Sequence, residues 1–503
     1  MEVVYKDLLS RINIQTVVAG FTTLLILVYF TKDLRRNLPP GPWGLPVVGI
    51  LPFVGNQPQK LFMKLAEKYG SVFSAYLGTK LVVFVNDYKS MKQMFAKSGD
   101  TFNDRPKLIV NDQISHGKGI ASGYLHLNLK EKRRFSMKML RNFGMGKSSF
   151  ESTIVNEIDY MKARLMQVAD TKVRYDPKHI IENAISNVTC GIVFGKRYEY
   201  DDPQFKRFLS ILYANLEIVS QSGALNFIPF MRFIPGSGWN KVFRNVEMFV
   251  NEFINFELKE HARTIQINKP RDFIDEFLKA RSELESSGEN VDAFDDESAI
   301  QIVTELFVAG TETTATTLKW ALLYLAINPE IQAKVHQELD SVTGRRQLPT
   351  LKDQPKLVYC EAVMMEVTRI RPAVPLGVAH CTVNDTMYKE HFIPKSTTVI
   401  PNIWAVMHDE ITWPKPEEFR PERFIDGNGK LIKYEELIPF SVGRRSCVGE
   451  QLARMELYLF FTHLLHHFQF TLPTDKSKPS TYPHVGATLT PSQYDLIITK
   501  RTC

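Results

Sequence analysis

The sequence predicts a mainly α-helical body with a small β-rich part, preceded by a membrane-spanning helix. Three observations carry that expectation: long segments of 3.6-residue apolar periodicity, two short runs of strand composition, and one charge-free apolar stretch near the N-terminus. The chain has 503 residues, 44% hydrophobic and 23% charged, which is an ordinary globular composition. Its net charge of +7 is mild for this length, and no basic run points to nucleic acid. A slightly basic face toward an acidic protein or a membrane fits the charge better.

The apolar stretch runs from Ile14 to Phe30 without a charged residue. That is near the lower limit of the about 17–25 residues needed to cross a bilayer. No small-residue cleavage site follows it; Lys32, Arg35 and Arg36 do, so an uncleaved anchor is expected rather than a signal peptide. Lys6 and Arg11 precede it, so the Lys/Arg balance leans toward a cytosolic body. The division expected is an anchor over 1–37 and a catalytic domain over 38–503. "LPPGPWGLPVVG" (Leu38 to Gly49) joins them as a stiff, non-helical elbow, because its prolines fix φ and deny helix continuation.

Beyond the elbow there is no repeat and no second linker. "VFSAYLG" and "KLVVFV" have the β-branched and aromatic content of strands. Helices are predicted from Glu151 to Val168, Asp202 to Leu216, Val242 to Gln266, Ser298 to Asn328, Pro329 to Thr343 and Gly449 to Phe468. The acidic, Ser-rich stretch 281–297 reads as a solvated loop.

Five scattered cysteines without a C-x-x-C pair exclude a disulfide framework or structural zinc site. Cys447 stands out. It lies in "FSVGRRSCVGE" (Phe440 to Glu450), directly before an apolar helical run. A lone cysteine is ordinarily an inert core residue. Here a helix N-terminus, with Arg444 and Arg445 beside it, favours thiolate, and Gly443 and Gly449 let the backbone approach a ligand closely. A second oddity is "VAGTETTATT" (Val308 to Thr317), where β-branched residues and a glycine interrupt an otherwise good helix. Thr hydroxyls that take over i−4 carbonyls, with Gly310 lacking a Cβ, predict a local notch. A weakly packed helix with its threonines against neighbours is the plainer alternative.

The loop pattern F-x-x-G-x-R-x-C-x-G, carried by Phe440, Gly443, Arg445, Cys447 and Gly449, resembles the haem-binding loop of the cytochrome P450 monooxygenases. "EVTR" (Glu366 to Arg369) resembles the family's E-x-x-R helix, "PERF" (Pro421 to Phe424) the segment that meets it, and "AGTETT" (Ala309 to Thr314) its oxygen-activating groove. Order and spacing agree over nearly the whole chain, most closely with the microsomal drug- and steroid-metabolising group. The resemblance implies the P450 fold and haem b with Cys447 as axial thiolate, which favours O–O cleavage. Ala309 and Gly310 would line the groove, and Glu312 and Thr313 would form an acid–alcohol pair delivering protons through water. It makes Glu366, Arg369 and Arg423 a buried charge network bracing the haem loop, although on spacing alone Glu366 and Arg369 are equally a surface pair.

The resemblance further assigns Arg133, His380 and Arg445 to the haem propionates. A Trp usually stands four residues before the first of these; this chain has Leu129, which has no N–H to donate. No flavin or nicotinamide module follows Cys447, so electrons are expected from NADPH–cytochrome P450 reductase, with cytochrome b5 as a second donor. Lys130, Lys132, Arg133, Arg134, Lys138 and Arg141 form a basic cluster that would steer such an acidic partner. The expected substrate is lipophilic, a xenobiotic, steroid or fatty acid, met by Phe227, Phe230 and Phe307 among other pocket segments, at the cytosolic face of the endoplasmic reticulum. Two alternatives share Cys447: a reductase-independent haem-thiolate isomerase or dehydratase, and a non-enzymatic haem or lipid carrier. Neither has much need of Glu312 and Thr313. His463, His466 and His467 lack the acid of a zinc helix and read as a solvated face.

Overall fold

A computed structural model describes residues 15, 20, 23, 37–143, 148–236, 238–474 and 478–501. The Ile14–Phe30 segment therefore lies almost wholly outside the described residues. Among those described, no helix is long and apolar enough to cross a membrane.

The two strand readings hold, the first one residue shorter than read: β1 (Val72–Leu77) and β2 (Lys80–Val85) form an antiparallel hairpin. With β3 (His380–Cys381) they belong to a four-stranded sheet that is completed through Thr398–Pro401, which pairs in parallel with β2 and antiparallel with β3. The rest is helical. In chain order the longer helices are α1 (Pro58–Tyr69), α2 (Ile109–Ser115), α3 (Leu129–Asn142), α4 (Ser148–Val168), α5 (Lys178–Val193) and α6 (Pro203–Gln221). They continue with α7 (Trp239–Phe249), α8 (Asn255–Thr264), α9 (Phe273–Ser287), α10 (Asp296–Ile327), α11 (Pro329–Thr343), α12 (Val358–Ile370) and α13 (Glu450–His467).

The organising element is α10, 32 residues long and buried along most of its length. It begins where Asp295 accepts from the Ser298 amide at 2.7 Å, an N-cap that satisfies one orphan donor, with Asp296 and Glu297 adding charge of the right sign in the first turn. It ends at Asn328, followed by a proline that starts α11. Helices α5, α12 and α13 pack around it in one continuous apolar core.

The structure refines three of these expectations. The stretch 281–297 is not one loop: α9 runs through 281–287, capped by Asp272 at its start and by left-handed Gly288 at its end. The single helix expected from Val242 to Gln266 holds as α7 and α8, which run on without a break through a π-helical stretch at Val250–Ile254. Helix α10 is α-helical through its threonines. Thr313 and Thr317 back-bond to the carbonyls of Ala309 and Thr313, at 2.8 and 2.9 Å, as a notch would need. Gly310 serves packing: a Cβ there would sit 3.2 Å from the Thr189 hydroxyl on α5, so the glycine lets two helices approach closely.

The histidine face on α13 is corrected too. His463 and His466 are buried, and His463 Nε2 meets the Pro349 carbonyl at 2.8 Å. Helix α13 is enclosed by α4, α10 and α11, which leaves it little solvated side.

Candidate functional site

The Cys447 loop is built by close approaches. The Cys447 amide donates to the Phe440 carbonyl at 3.0 Å and the Ser446 amide to that of Gly443 at 3.1 Å. Gly443 has φ +84°, and a Cβ on it would lie 2.1 Å from the Phe95 carbonyl oxygen, so no other residue seats the loop on the neighbouring helix. Gly449 is the N-cap of α13, and the Arg454 guanidinium lies over the Phe440 ring at 4.9 Å. Cys447 is solvent-accessible although protein surrounds it on most sides. Burial pushes its thiol up, and the Gly449 amide and Arg133 only partly oppose this. Coordination to a metal ion would deprotonate it.

Beside this loop three arginines converge on one short segment. Arg105 Nε and Arg445 Nη2 both donate to the Ala121 carbonyl at 2.8 Å, and Arg133 donates to Ile120 O at 3.4 Å and to Ser446 O at 2.7 Å. Arg445 also holds the carbonyls of Asn103 and Gly123, and its Nε is buried without a partner. Burial, then the neighbouring cation Arg133, brings Arg445 down to about 10. Arg105 falls well below its ordinary value by burial and then by Arg445 and Arg133. The amides of Ile120, Ala121 and Ser122 point the other way and donate to Glu305 of α10 at 2.7, 2.8 and 2.9 Å.

Arg105 and Glu305 were not singled out in the sequence. Their signals were present: an arginine before a proline in "TFNDRP", and an acid one turn before Ala309 in an apolar helix. His380 differs from expectation. Its Nδ1 faces the Phe102 carbonyl at 2.9 Å and must donate to it, so the other ring nitrogen is an acceptor. Burial, then Arg105, holds it well below the usual imidazole range, so the ring is neutral here. Leu129 is buried and lies under Gly123, where a Cβ would meet its Cδ1 at 2.8 Å; it adds no donor.

These residues fit an iron porphyrin with two carboxylates. A thiol on a Gly-bracketed loop can ligate iron, and three crowded cations with an orphaned guanidinium nitrogen await negative charge.

On α10, Ala309 is exposed and Thr313 partly so, whereas Glu312 is buried and turned aside. Its Oε1 accepts from Thr488 at 2.7 Å and from Thr316 at 3.1 Å. The acid and the alcohol are sequence neighbours that serve different sides of the helix. Phe307 is packed in a phenylalanine cluster with Phe194, Phe208 and Phe249, Phe230 is exposed, and Phe227 packs against the sheet, so the three do not line one pocket.

The brace is complete. Arg369 Nε donates to Glu366 Oε2 at 2.6 Å, and Arg423 Nε to Glu366 Oε1 at 3.1 Å, all three buried. The remaining guanidinium donors reach carbonyls of 407–418, including Met407 at 2.8 Å and Pro416 at 2.7 Å.

The basic cluster on α3 divides. Lys132 is buried, donating to the Lys118 carbonyl at 2.9 Å, and Arg133 turns inward. Lys130, Arg134, Lys138 and Arg141 remain exposed along one stripe.

Comparison with known proteins agrees with this geometry. The family model described as Cytochrome P450 matches residues 39–498. The chain is 36% identical to human cytochrome P450 2U1 over 96% of its length and 93% of that protein. It is 38% identical to mouse cytochrome P450 2D26, over 96% and 97% of the two chains, and 37% identical to Drosophila melanogaster cytochrome P450 18a1, over 96% and 91%. With that coverage, and with Cys447 and its arginines arranged as they are, the chain belongs to the cytochrome P450 family.

Proposed function

We propose that this P450 is a monooxygenase anchored in the endoplasmic reticulum membrane by residues 1–37, with 38–503 as a cytosolic catalytic domain. It inserts one atom of O2 into a lipophilic small molecule, using electrons from NADPH through cytochrome P450 reductase, with cytochrome b5 as a second donor. The observation that carries this reading is the conjunction of the accessible Cys447 thiol with three arginines gathered on Ile120–Ala121, next to the helix that bears Thr313.

Bound haem supplies the electron-accepting iron at which O2 is activated. The chain's own residues do the rest. Cys447 ligates from a loop that cannot shift, because Gly443 is wedged against Phe95. Arg105, Arg133 and Arg445 bind the carboxylates. Thr313 Oγ1, held on the Ala309 carbonyl, presents a hydroxyl at the exposed side of α10, and the Glu312 carboxyl is the acid that relays protons to it through water.

Surface features support the setting. Trp43, Leu45, Val47 and Phe53 are exposed on the elbow, and Phe230, Phe233 and Ile234 on the segment after α6. The β1–β2 turn joins the two groups: the Gly78 amide donates to Val48 O at 3.0 Å and that of Thr79 to Phe227 O at 3.4 Å. An apolar surface continuous with an N-terminal anchor suits a membrane surface as the source of lipophilic substrate. The stripe Lys130, Arg134, Lys138 and Arg141 lies on the helix that Arg133 ties to the Cys447 loop, where an electron donor needs to dock.

The test is the reduced, carbon-monoxide-bound difference spectrum of the full chain, with Cys447→Ala beside it. A red-shifted thiolate-type Soret band that disappears in the variant is expected, followed by NADPH- and reductase-dependent oxidation in a screen of lipophilic compounds. A folded protein that takes up no haem would sink the reading.

A further inference from the structure

A polar cavity of about 630 Å³ lies behind α10, bounded by α5, α6 and the hairpin formed by β4 (His484–Val485) and β5 (Leu489–Thr490). Its mouth carries exposed His179, Glu217 and His484. Its floor carries Glu312, Thr488 and the buried ion pair Lys319–Glu182, with Nζ to Oε1 at 3.0 Å. Glu312 is 6% exposed, and its Oε2 is buried without a hydrogen-bond partner. An unpartnered carboxylate oxygen at the floor of a polar cavity is costly unless the cavity itself serves it.

We infer that Thr488 is a positioning residue for Glu312, fixing Oε1 from the hairpin and leaving Oε2 without a protein partner beside the cavity through which its proton is replaced. This rests on the proton-delivery reading of Glu312 given above. Thr488 is suited to the role because its neighbour is pinned twice: the Leu489 amide donates to Ala373 O at 2.9 Å, and the Leu489 carbonyl accepts from Trp320 Nε1 at 2.7 Å. The Gly486 amide donates to Thr488 O at 3.0 Å and closes the turn. The hydroxyl therefore reaches the acid from a fixed point, while Thr316 holds the same oxygen from within α10. Each proton that Glu312 gives up, relayed by water to the Thr313 side of α10, leaves a carboxylate, which is reprotonated by hydronium from the solvent reached through the cavity. Glu182 and Lys319 facing it, with Tyr213 on α6, set the field in which that exchange occurs.

Thr488→Val keeps the shape and removes the hydroxyl; Thr488→Ser restores it. Two readouts are taken on the full-length haem protein. First, the infrared carboxyl band of Glu312, identified by its loss in Glu312→Gln, is titrated with pH. Its midpoint rises by about one pH unit in Thr488→Val, because a hydrogen bond to the charged form is gone, and returns in Thr488→Ser. Second, peroxide released per NADPH consumed with the reductase rises about threefold in Thr488→Val and not in Thr488→Ser, and Thr488→Val adds nothing in a Glu312→Gln background. An unmoved midpoint with unchanged peroxide, while Glu312→Gln alone raises peroxide, overturns the inference and leaves the proton-delivery reading standing. Unchanged peroxide in Glu312→Gln overturns that reading instead, and the infrared midpoint then decides whether Thr488 positions the carboxylate.

Discussion

Two groups of buried charge in this molecule are built on opposite plans. In the brace, one carboxylate faces two guanidiniums, and the donors left over reach backbone carbonyls, so Glu366, Arg369 and Arg423 are satisfied by the fold itself. In the hub, Arg105, Arg133 and Arg445 crowd onto carbonyls, and the nearby acid Glu305 is already committed to three amides. The first arrangement is closed and holds structure together. The second is open to an anion and costs stability until one arrives. That difference separates scaffold from receptor more sharply than burial does, since both groups are buried.

The largest effect should come from breaking the closed group. Glu366→Gln leaves two guanidiniums facing each other without their carboxylate, and removing one partner of a buried pair costs about 3–5 kcal/mol. Denaturant unfolding of the purified protein is expected to show that loss, with little haem retained on expression. A variant of near wild-type stability would mean that the carbonyls alone satisfy Arg369 and Arg423.

The open group should behave in reverse. Arg105→Met removes one of three mutually repelling cations, so stability without haem is unchanged or slightly higher, while haem affinity falls about tenfold. A haem titration of the stripped protein beside its melting curve reads both numbers. Equal losses in stability and affinity would make Arg105 part of the scaffold and erase the contrast.

How much of this was legible follows the same division. The brace and the Cys447 loop could be read because each carries a short pattern that resembles a family motif, E-x-x-R with PERF and a Gly-bracketed Cys; spacing alone left Glu366 and Arg369 equally a surface pair. The strands β1 and β2 were local in pattern, as was α11, whose bounds Pro329–Thr343 fall where predicted. The hub was half legible: the resemblance pointed to Arg133 and Arg445, whereas Arg105, Ala121 and Glu305 join them only after folding. The direction of Lys132 was readable in principle, since Leu129, Lys132, Ser136, Met139 and Leu140 form one buried face of α3 at helical spacing. On α13 periodicity fails, because a helix enclosed on most sides has no polar face to give the phase, and its histidines are carried inside.

Those histidines yield a pH prediction that tests a third kind of buried polar group, neutral rather than charged. Burial first, and neighbouring cations such as Arg345, Arg501 and Lys162 next, hold His466 and His467 of α13, and His336 of the neighbouring α11, down to about 4. The unfolded chain takes up these protons near its ordinary imidazole value of about 6.5, before the folded one does. Stability is therefore full above pH 6.5 and falls as pH drops from 6.5 to 4, with no further loss from these groups below that. Urea midpoints across this window should decline, and the decline should flatten in His466→Gln. A flat profile in the parent would mean that the histidines are already protonated in the fold.

The smallest effect concerns charge that is not buried at all. Arg134 and Lys138 lie on the exposed stripe of α3, so reversing them to Glu changes stability by no more than about 0.5 kcal/mol. Their potential still steers an acidic donor at low salt, and the rate of haem reduction by the reductase is expected to fall about threefold to tenfold at low ionic strength. The defect should shrink as salt is raised, because separated surface charges are screened within about 10 Å at 0.1 M. Lys132→Ala, one turn inward, makes the complementary control. Its ammonium is buried against the Lys118 carbonyl, so its loss should appear in the melting curve and leave the salt dependence of reduction as it was. If Lys132→Ala changed the salt slope while Arg134→Glu and Lys138→Glu did not, the donor would have to approach from another face, and the stripe would be an ordinary solvated helix surface.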